Sequence, residues 1–276
     1  FAMSTPPQPA QQGSSAGVVH QSVDNGLAIL TLNRPDRMNA INGEMATALN
    51  EALTAISIDK NIHAVVITGA GKGFCAGGDL KEIWEGRQKS DRESLEPLLR
   101  SGMGAVLKIR TMRQPVIAAV NGAAAGAGMN IALAADIRFA ADTASFGETF
   151  AKVGLFPDFG GTYFLPQLVG HAKAAELFYS GDMFDAKTAL ELGIVNRLVP
   201  ADKLMDEAKA FAISIVNGPR MASRALKQVL FGNERAALTK ALEYEVEEQI
   251  RCFESEDCAE GLRAFFEKRK PNFQGK

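Results

Sequence analysis

The sequence has few of the residues that build covalent or metal-held scaffolds. Its 276 residues include three cysteines, an odd number with no spacing typical of a metal site. They are Cys75, Cys252 and Cys258. We therefore expect no disulfide framework and no metal site, and this cysteine usage fits the reducing environment of the cytoplasm. The three histidines lie outside every glycine-rich segment, so packed or surface roles explain them better than catalysis.

A strong charge of either sign is also missing. The 30 Lys and Arg residues against 32 Asp and Glu residues give a formal net charge of −2. Such a chain has no global positive field to attract nucleic acid or an anionic membrane, so we expect neither as a partner. Any anionic ligand must be held by local groups. The 46% of hydrophobic and 22% of charged residues are typical of a globular protein with a sizeable core.

Long uncharged runs are almost absent. Residues 1–17 are rich in Ser, Pro, Gln, Gly and Ala without a signal-like apolar core, which predicts a disordered and dispensable tail. Residues 115–135 form an uncharged run long enough for a membrane span, but they are mostly Ala and Gly and include Asn121 and Asn130. A buried strand, a glycine-rich turn and a packed helix explain this run better.

The pattern of apolar residues predicts an α/β core. Residues 27–32, 64–68 and 116–120 are short apolar runs rich in β-branched residues, each followed by Asn or Gly, which indicates buried strands. Residues 44–56 carry apolar side chains at helical spacing between the first two. Strands that alternate with helices favour a mainly parallel sheet, because parallel neighbours need crossover connections.

Strand signals end near residue 200. The following segments read as helices: 201–216, 219–230, 234–253 and 258–268. We assign residues 18–215 to the α/β core and residues 216–276 to a helical C-terminal oligomerisation region. Helix 234–253 carries an apolar stripe that needs a covering surface, either in another copy of the chain or in the chain's own core. The stripe consists of Leu238, Leu242, Val246 and Ile250.

Two glycine-rich turns are the main candidates for a site, because no hydrolase elbow, zincin, P-loop or C-x-x-C motif is present. Residues 74–80 and 121–128 each follow an apolar strand and precede a helical segment. The second turn lacks the G-x-G-x-x-G spacing of a dinucleotide site. Backbone N–H groups in such turns can hold an oxygen that becomes negative. The alternative is that the glycines only permit tight turns and close packing.

Five segments, in order, resemble the signature blocks of the crotonase superfamily, which contains the enoyl-CoA hydratases and isomerases. They are residues 32–41, 73–80, 115–128, 135–138 and 154–162. The resemblance extends from about residue 18 to the C-terminus. It implies an α/β spiral of ββα units with a helical C-terminal region, and a homotrimer or dimer of trimers. It also implies acyl-CoA substrates and no separate cofactor, since coenzyme A arrives as part of the substrate.

The resemblance also implies roles for individual residues. The thioester oxygen would be held by the backbone N–H groups of Ala76 and Ala127. The coenzyme A portion would be bound by Arg37, Met38, Ala40, Ala76, Gly77, Gly78, Asp79, Leu80 and Gly126. Without the resemblance, Arg37 reads as a solvated surface charge and Asp79 as a helix N-cap. Residues 83–94 read as a mobile helix or loop near the acyl pocket, and Asp136 as a hydrogen-bonded structural group.

Departures from the family pattern bear on the chemistry. The positions of the two hydratase glutamates hold Asn130 and Phe150, neither of which can act as a base. Efficient hydration is therefore not expected, because it needs one group to activate water and another to deliver a proton. Asp158 matches the acidic residue of some Δ3,Δ2-enoyl-CoA isomerases and of the ring-epoxide isomerase of phenylacetate degradation. Glu148 is the reserve base.

These features predict an acyl-CoA isomerase in which Asp158 moves a proton. Leu155, Phe156 and Phe159 surround Asp158 in the sequence, an apolar setting that would raise the pKa of its carboxyl group. The ordinary explanation is that Asp158 only forms a turn. Two other functions stay open: a hydratase or other crotonase-type enzyme that uses Glu148, and a non-catalytic acyl-CoA-binding protein.

Overall fold

The computed structural model describes residues 17–89 and 92–276. The predicted tail at residues 1–17 lies outside this part except for Gly17, so its disorder and dispensability stay predictions. Nine strands are described: β1 (Val19–Asp24), β2 (Leu27–Leu32), β3 (Ala64–Gly69), β4 (Val116–Val120), β5 (Ala124–Ala125), β6 (Ile137–Ala141), β7 (Ser145–Gly147), β8 (Phe184–Asp185) and β9 (Arg197–Val199). The three strands predicted from the sequence are confirmed as β2, β3 and β4.

Six strands form the main sheet in the order β1-β2-β3-β4-β6-β9. Strand β1 is antiparallel to β2, and all other neighbours are parallel. Every residue of β3 and β4 is buried, as expected for parallel strands covered on both faces. A second sheet of three short strands has the order β5-β7-β8 and lies beyond the end of β4 in the chain. The chain therefore has the predicted, mainly parallel α/β core.

Eleven α-helices lie in the described part of the chain. They are α1 (Gly43–Ile58), α2 (Leu80–Gln88), α3 (Arg92–Thr111), α4 (Ala127–Ala134), α5 (Gly161–Val169), α6 (His171–Ser180), α7 (Ala186–Glu191), α8 (Leu204–Asn217), α9 (Arg220–Phe231), α10 (Arg235–Glu254) and α11 (Glu256–Phe266). The predicted helix at 44–56 is confirmed as α1, which buries its apolar stripe and is capped by Asn42. The four predicted C-terminal helices are confirmed as α8 to α11.

The uncharged run at residues 115–135 has the predicted strand, turn and helix. It contains β4, β5 and α4, and all eight residues of α4 are buried. In the described ranges, no helix is both long and apolar enough to cross a membrane. The boundary predicted at residue 215 falls inside α8, and the division into two regions stays a prediction.

Helix α10 covers its apolar stripe within the chain itself. Leu238, Leu242, Val246 and Ile250 are all buried. The expectation that this stripe seeks another copy of the chain is therefore wrong, and its alternative, packing on the chain's own core, is correct. Helix α9 instead exposes four large apolar side chains. These are Met221, Leu226, Val229 and Leu230.

Candidate active site

The two glycine-rich turns lie side by side. Cys75 in the first turn and Ala124 in the second form an isolated parallel bridge. The N–H of Cys75 donates to the carbonyl of Ala123 at 3.0 Å, and the N–H of Ala125 donates to the carbonyl of Cys75 at 3.0 Å. The arrangement brings the residues that follow each turn to one place, which supports a site rather than two unrelated tight turns.

Glycine is required where the turns approach most closely. Gly77 has φ +95°, and a Cβ atom there would lie 2.8 Å from the carbonyl oxygen of Ala125. Any side chain would add both backbone strain and a steric clash. Gly126, with φ +50°, directly precedes α4, so that the chain can turn into the helix. The glycines therefore permit both the close packing and the exposure of backbone N–H groups.

Two of those N–H groups are free to bind a ligand. Ala127 is the first residue of α4, where backbone N–H groups have no intrahelical acceptor. Both neighbours of Gly78 are engaged by Ile41. The N–H of Ile41 donates to the carbonyl of Gly77 at 2.7 Å, and the N–H of Asp79 donates to the carbonyl of Ile41 at 2.8 Å. The N–H of Gly78 itself has no acceptor among the residues that the structure describes.

The expected role of Ala76 as an oxyanion donor is contradicted. Its N–H donates to the carbonyl oxygen of Met38 at 3.0 Å, so it is already engaged. Gly78, two residues further along the same turn, is the donor that remains beside Ala127. The sequence could not distinguish the two, because both lie in one glycine-rich turn and only the pairing with residues 38–41 decides which N–H is free.

A cavity of about 590 Å³ opens at these turns. The residues expected to bind coenzyme A line it, with the exception of Met38: Arg37, Ala40, Ala76, Gly77, Gly78, Asp79, Leu80 and Gly126. Met38 contributes its backbone carbonyl to the turn instead. The cavity lining also includes residues that no sequence motif indicated, among them Lys81, Lys152, Phe265, Phe266 and Gln249. Both lysine side chains are more than half exposed, so the positive charge lies at the rim.

Asp158 lines this cavity from the loop before α5. It is 6% exposed, and burial raises the pKa of its carboxyl group from 3.8 to about 8, as the apolar neighbours predicted. The next residue, Phe159, has φ +53°, an unfavourable conformation for a large side chain. The Phe159 ring fits because residue 102 is a glycine, where a Cβ atom would lie 2.0 Å from the ring. The fold thus maintains a strained turn that places Asp158 in the cavity wall.

Two residues of α10 that no sequence motif indicated hold this turn. Gln249 donates through Nε2 to Oδ2 of Asp158 at 2.9 Å. Glu245 accepts from the backbone N–H groups of Gly160 at 2.7 Å and Thr162 at 3.0 Å. Burial raises the pKa of Glu245 to about 7, against the lowering effect of those hydrogen bonds. The available signal was their helical spacing: Glu245 follows Leu242 by three residues and Gln249 follows Val246 by three, which places both beside the apolar stripe of α10.

The residues at the two hydratase glutamate positions are both found at this site. Asn130 donates through Nδ2 to the backbone carbonyl of Asp158 at 2.7 Å, and the same atom lies 3.5 Å from Oε2 of Glu148. Phe150 lines the cavity. Glu148 is fully buried and is not part of the cavity lining, and burial raises the pKa of its carboxyl group well above the ordinary value. The reserve base is therefore separated from the cavity.

Asp79 also lines the cavity, but it is engaged as the sequence predicted. Its Oδ1 accepts from the N–H groups of Lys81 at 3.2 Å and Glu82 at 3.4 Å at the start of α2. Its Oδ2 lies 2.9 Å from the guanidinium of Arg34. Of the two carboxylates in the cavity lining, only Asp158 has no cationic partner among the described residues.

The segment at residues 83–94 is partly described. Its first part continues α2, where Ile83 lines the cavity and the Trp84 ring lies 6.3 Å from that of Phe266. Residues 90–91 lie outside the described part, so the mobility expected of this segment stays a prediction. Asp136 lies away from the cavity and is a structural group, as expected. Its Oδ2 accepts from the N–H of Val116 at 2.7 Å.

Comparison with known proteins is consistent across sequence and structure. The family described as enoyl-CoA hydratase/isomerase matches residues 22–276. A 1,2-epoxyphenylacetyl-CoA isomerase of Escherichia coli K12 is 38% identical over 261 residues, covering 92% of this chain and 97% of the relative. A crotonyl-CoA hydratase of Syntrophomonas wolfei is 37% identical over 251 residues, covering 91% of this chain and 95% of the relative.

The fold is likewise shared with solved structures. An enoyl-CoA hydratase from Bacillus halodurans superposes with a TM-score of 0.85 at 30% identity, covering 90% of this chain and all of that one. One from Mycobacterium avium subsp. paratuberculosis K-10 has a TM-score of 0.84 at 30% identity, covering 94% of this chain and 99% of that one. The predicted spiral α/β fold with a helical C-terminal region is confirmed. The chain belongs to the enoyl-CoA hydratase/isomerase family of the crotonase superfamily.

Proposed function

We propose that the chain is an acyl-CoA isomerase that shifts a double bond, or opens a ring epoxide, through a thioester enolate. The observation that carries the proposal is the position of Asp158. It is a buried carboxylate without a cationic partner in the described chain, and it lines the cavity at which the N–H groups of Gly78 and Ala127 are free. One base and one oxyanion site are sufficient for a proton shift within a single substrate.

The proposed reaction needs the site to stabilise a negative oxygen. When Asp158 takes the proton from C2 of a 3-enoyl thioester, the C2–H electrons move toward the carbonyl and the charge develops on the thioester oxygen. N–H donors that are fixed in advance stabilise such an oxygen without reorganisation, and each is worth about 2.7–4 kcal/mol in other enzymes. Gly78 and Ala127 fill this role.

The same carboxyl group then completes the shift. Asp158 returns its proton to C4, the charge leaves the oxygen, and the double bond lies between C2 and C3, conjugated with the thioester. No water is consumed and the proton balance of Asp158 is restored. A raised pKa suits this task, because a base works best when its pKa lies near the working pH.

The coenzyme A portion is proposed to bind across the rim of the cavity. Arg37, Lys81 and Lys152 line the cavity, with side chains more than half exposed. Their positive charges suit the phosphate groups of coenzyme A, whereas the deeper wall is mainly apolar and suits the acyl portion. Coenzyme A is bound as part of the substrate, so we propose no separate cofactor.

Hydration is the second candidate, because several relatives carry hydratase names. Two observations rank it lower. The hydratase positions hold Asn130 and Phe150, and the buried Glu148 is not in the cavity lining. An enzyme that adds water needs an activating group in contact with that water.

The test compares both activities in one preparation. A 3-enoyl-CoA is converted and followed by the absorbance of the conjugated thioester, and a 2-enoyl-CoA is offered for hydration. We expect isomerisation to be faster by orders of magnitude. Hydration as fast as isomerisation would overturn the assignment, and binding of acyl-CoA without either activity would support a non-catalytic binding protein.

A further inference from the structure

The amide of Gln249 has a defined orientation. Gln249 lies on α10 and is 3% exposed. Its Oε1 accepts from the backbone N–H of Phe156 at 2.9 Å, and its Nε2 donates to Oδ2 of Asp158 at 2.9 Å. A backbone N–H can only donate, so the atom that faces Phe156 must be the amide oxygen. The amide nitrogen therefore faces the Asp158 carboxyl group in every protonation state.

This orientation makes the two oxygens of Asp158 unequal. Nε2 has no capacity to accept a proton, so Oδ2 must be an acceptor wherever the Gln249 bond is kept. Oδ1 is buried and has no hydrogen-bond partner in the described chain. A proton on the carboxyl group therefore belongs on Oδ1. The oxygen that acts as the base toward the substrate and the oxygen held by Gln249 are then two different atoms of the Asp158 side chain.

We propose that Gln249 is a positioning residue that holds Oδ2 of Asp158 and leaves Oδ1 as the oxygen that takes and returns the substrate proton. The inference rests on the proposed isomerase function and deepens it. It gives α10 a part in the chemistry, although Gln249 follows Asp158 by 91 residues in the chain. Gln249 also lines the cavity, and the role proposed for it is exerted through Asp158.

The charged groups near Asp158 differ in their effect on the pKa of its carboxyl group. Glu245, one turn before Gln249 on α10, raises the pKa of Asp158 by charge repulsion. Oε2 of Glu148 lies 3.5 Å from Nδ2 of Asn130, and the pKa of Glu148 is raised by burial and, to a smaller extent, by the Asp158 charge. The cavity cations Arg37, Lys81 and Lys152 have largely exposed side chains, where solvent screens them. The Gln249 hydrogen bond lowers the pKa of Asp158, against the effects of burial and of the Glu245 charge.

The experiment measures kcat/KM for a 3-enoyl-CoA against pH in Gln249→Met and Gln249→Glu. A base must be deprotonated to act. Loss of the Gln249 Nε2–H donor should raise the pKa of Asp158 and so move the acidic limb of the profile to higher pH. We expect Gln249→Met to lose about ten- to a hundredfold at pH 6, since a hydrogen bond to a charged group has roughly that value. Activity should recover at high pH. Gln249→Glu should shift the limb further, because a second carboxylate opposes ionisation of Asp158.

Controls distinguish this role from packing. Gln114 is another buried glutamine that binds only backbone carbonyls through Nε2, and Gln114→Met should leave the limb where it is. If the Gln249 variants lower activity equally at all pH values, or leave the profile unchanged, the inference is overturned. If Asp158→Asn itself retains activity, the proposed function fails instead. If Asp158→Asn is inactive but the acidic limb of the Gln249 variants does not move, the inference is overturned and the proposed function stands.

Discussion

At the residue scale, the protonation state of one carboxyl group governs the proposed chemistry. Asp158 is buried, and charge repulsion from Glu245 further opposes its ionisation. Burial raises its pKa to about 8, so the free enzyme holds this group mainly protonated at neutral pH. The Asp158 carboxyl group is therefore a proton donor at neutral pH and becomes a base as the pH rises.

We expect kcat/KM for isomerisation to rise with pH and to level off above about pH 8. The sign follows from the role: below its pKa the carboxyl group already carries a proton and cannot take another. The profile of kcat/KM reports the free enzyme, for which this pKa applies. Stopped-flow or steady-state rates from pH 5 to 10 check it, and a flat profile through pH 6–8 would speak against Asp158 as the base.

The oxyanion site depends on a glycine that no side chain can replace. In Gly77→Ala, the new Cβ atom would lie 2.8 Å from the carbonyl of Ala125 and displace one turn from the other. We expect kcat to fall by about 10²–10³, the usual effect of losing one donor. Gly193→Ala is the matched control, because Gly193 also has a positive φ, +74°, but open space around it. Equal activity losses in both variants would point to strain alone.

At the element scale, α9 is attached to the core by a buried cation. Lys227 of α9 is 4% exposed and donates through Nζ to the carbonyls of Ile109 at 2.8 Å and Gln114 at 2.9 Å. The same nitrogen lies 2.8 Å from Oδ2 of Asp136. Burial lowers the pKa of Lys227, and the Asp136 charge opposes that effect. This contact joins the helical C-terminal region to the chain around the start of β4.

Lys227→Met should destabilise the chain by about 3–5 kcal/mol, because it leaves the Asp136 carboxylate buried without its cation. Chemical denaturation measures the change in free energy of unfolding. Lys173→Met removes an exposed ion pair with Glu176 and should cost less than about 1 kcal/mol. If the two variants lose similar stability, the buried pair does not anchor α9.

Elements with strong local patterns were predictable, and contacts between distant elements were not. The strands β2, β3 and β4 and the helix α1 follow from apolar runs and helical spacing. The strands β5, β7 and β8 contain only two or three residues each, too few for a periodic signal. The sequence likewise indicated Asp158 and both turns. It did not indicate Gly78 in place of Ala76, or Gln249 on α10, because pairing across tens of residues determines both.

At the scale of the whole molecule, the ionisation of two buried acids, Asp158 and Glu245, opposes folding. Burial raises the pKa of Asp158 from 3.8 to about 8 and that of Glu245 from 4.5 to about 7. The folded chain therefore binds these protons more tightly than the unfolded chain. Their contribution to stability is fully present below about pH 4 and is lost as the pH rises through 7 and 8.

The melting temperature should accordingly fall between pH 5 and pH 8. Asp158→Asn cannot ionise, so we expect its melting temperature to depend less on pH over that range than that of the wild type. Scanning calorimetry in matched buffers measures both profiles. Identical slopes for wild type and variant would show that Asp158 is ionised at little cost in the folded chain.

A homotrimer or a dimer of trimers stays a proposal for the assembly. The stripe of α10 is buried within the chain, whereas α9 exposes Met221, Leu226, Val229 and Leu230. We propose that this face of α9 contributes to the contact between copies. Light scattering at micromolar concentration should give a multiple of 29.5 kDa, and Leu226→Lys with Val229→Lys should lower it. A wild-type mass of 29.5 kDa would rule the assembly out.

The most direct test of the account measures isomerisation of a 3-enoyl-CoA by Asp158→Asn. The amide keeps the size of the side chain but cannot accept a proton, while the oxyanion donors belong to the backbone. We expect kcat to fall by roughly 10²–10⁴ with substrate affinity and melting behaviour at low pH preserved, and Glu148→Gln to keep most of its activity. An Asp158→Asn variant with wild-type kcat and unchanged stability would contradict the account.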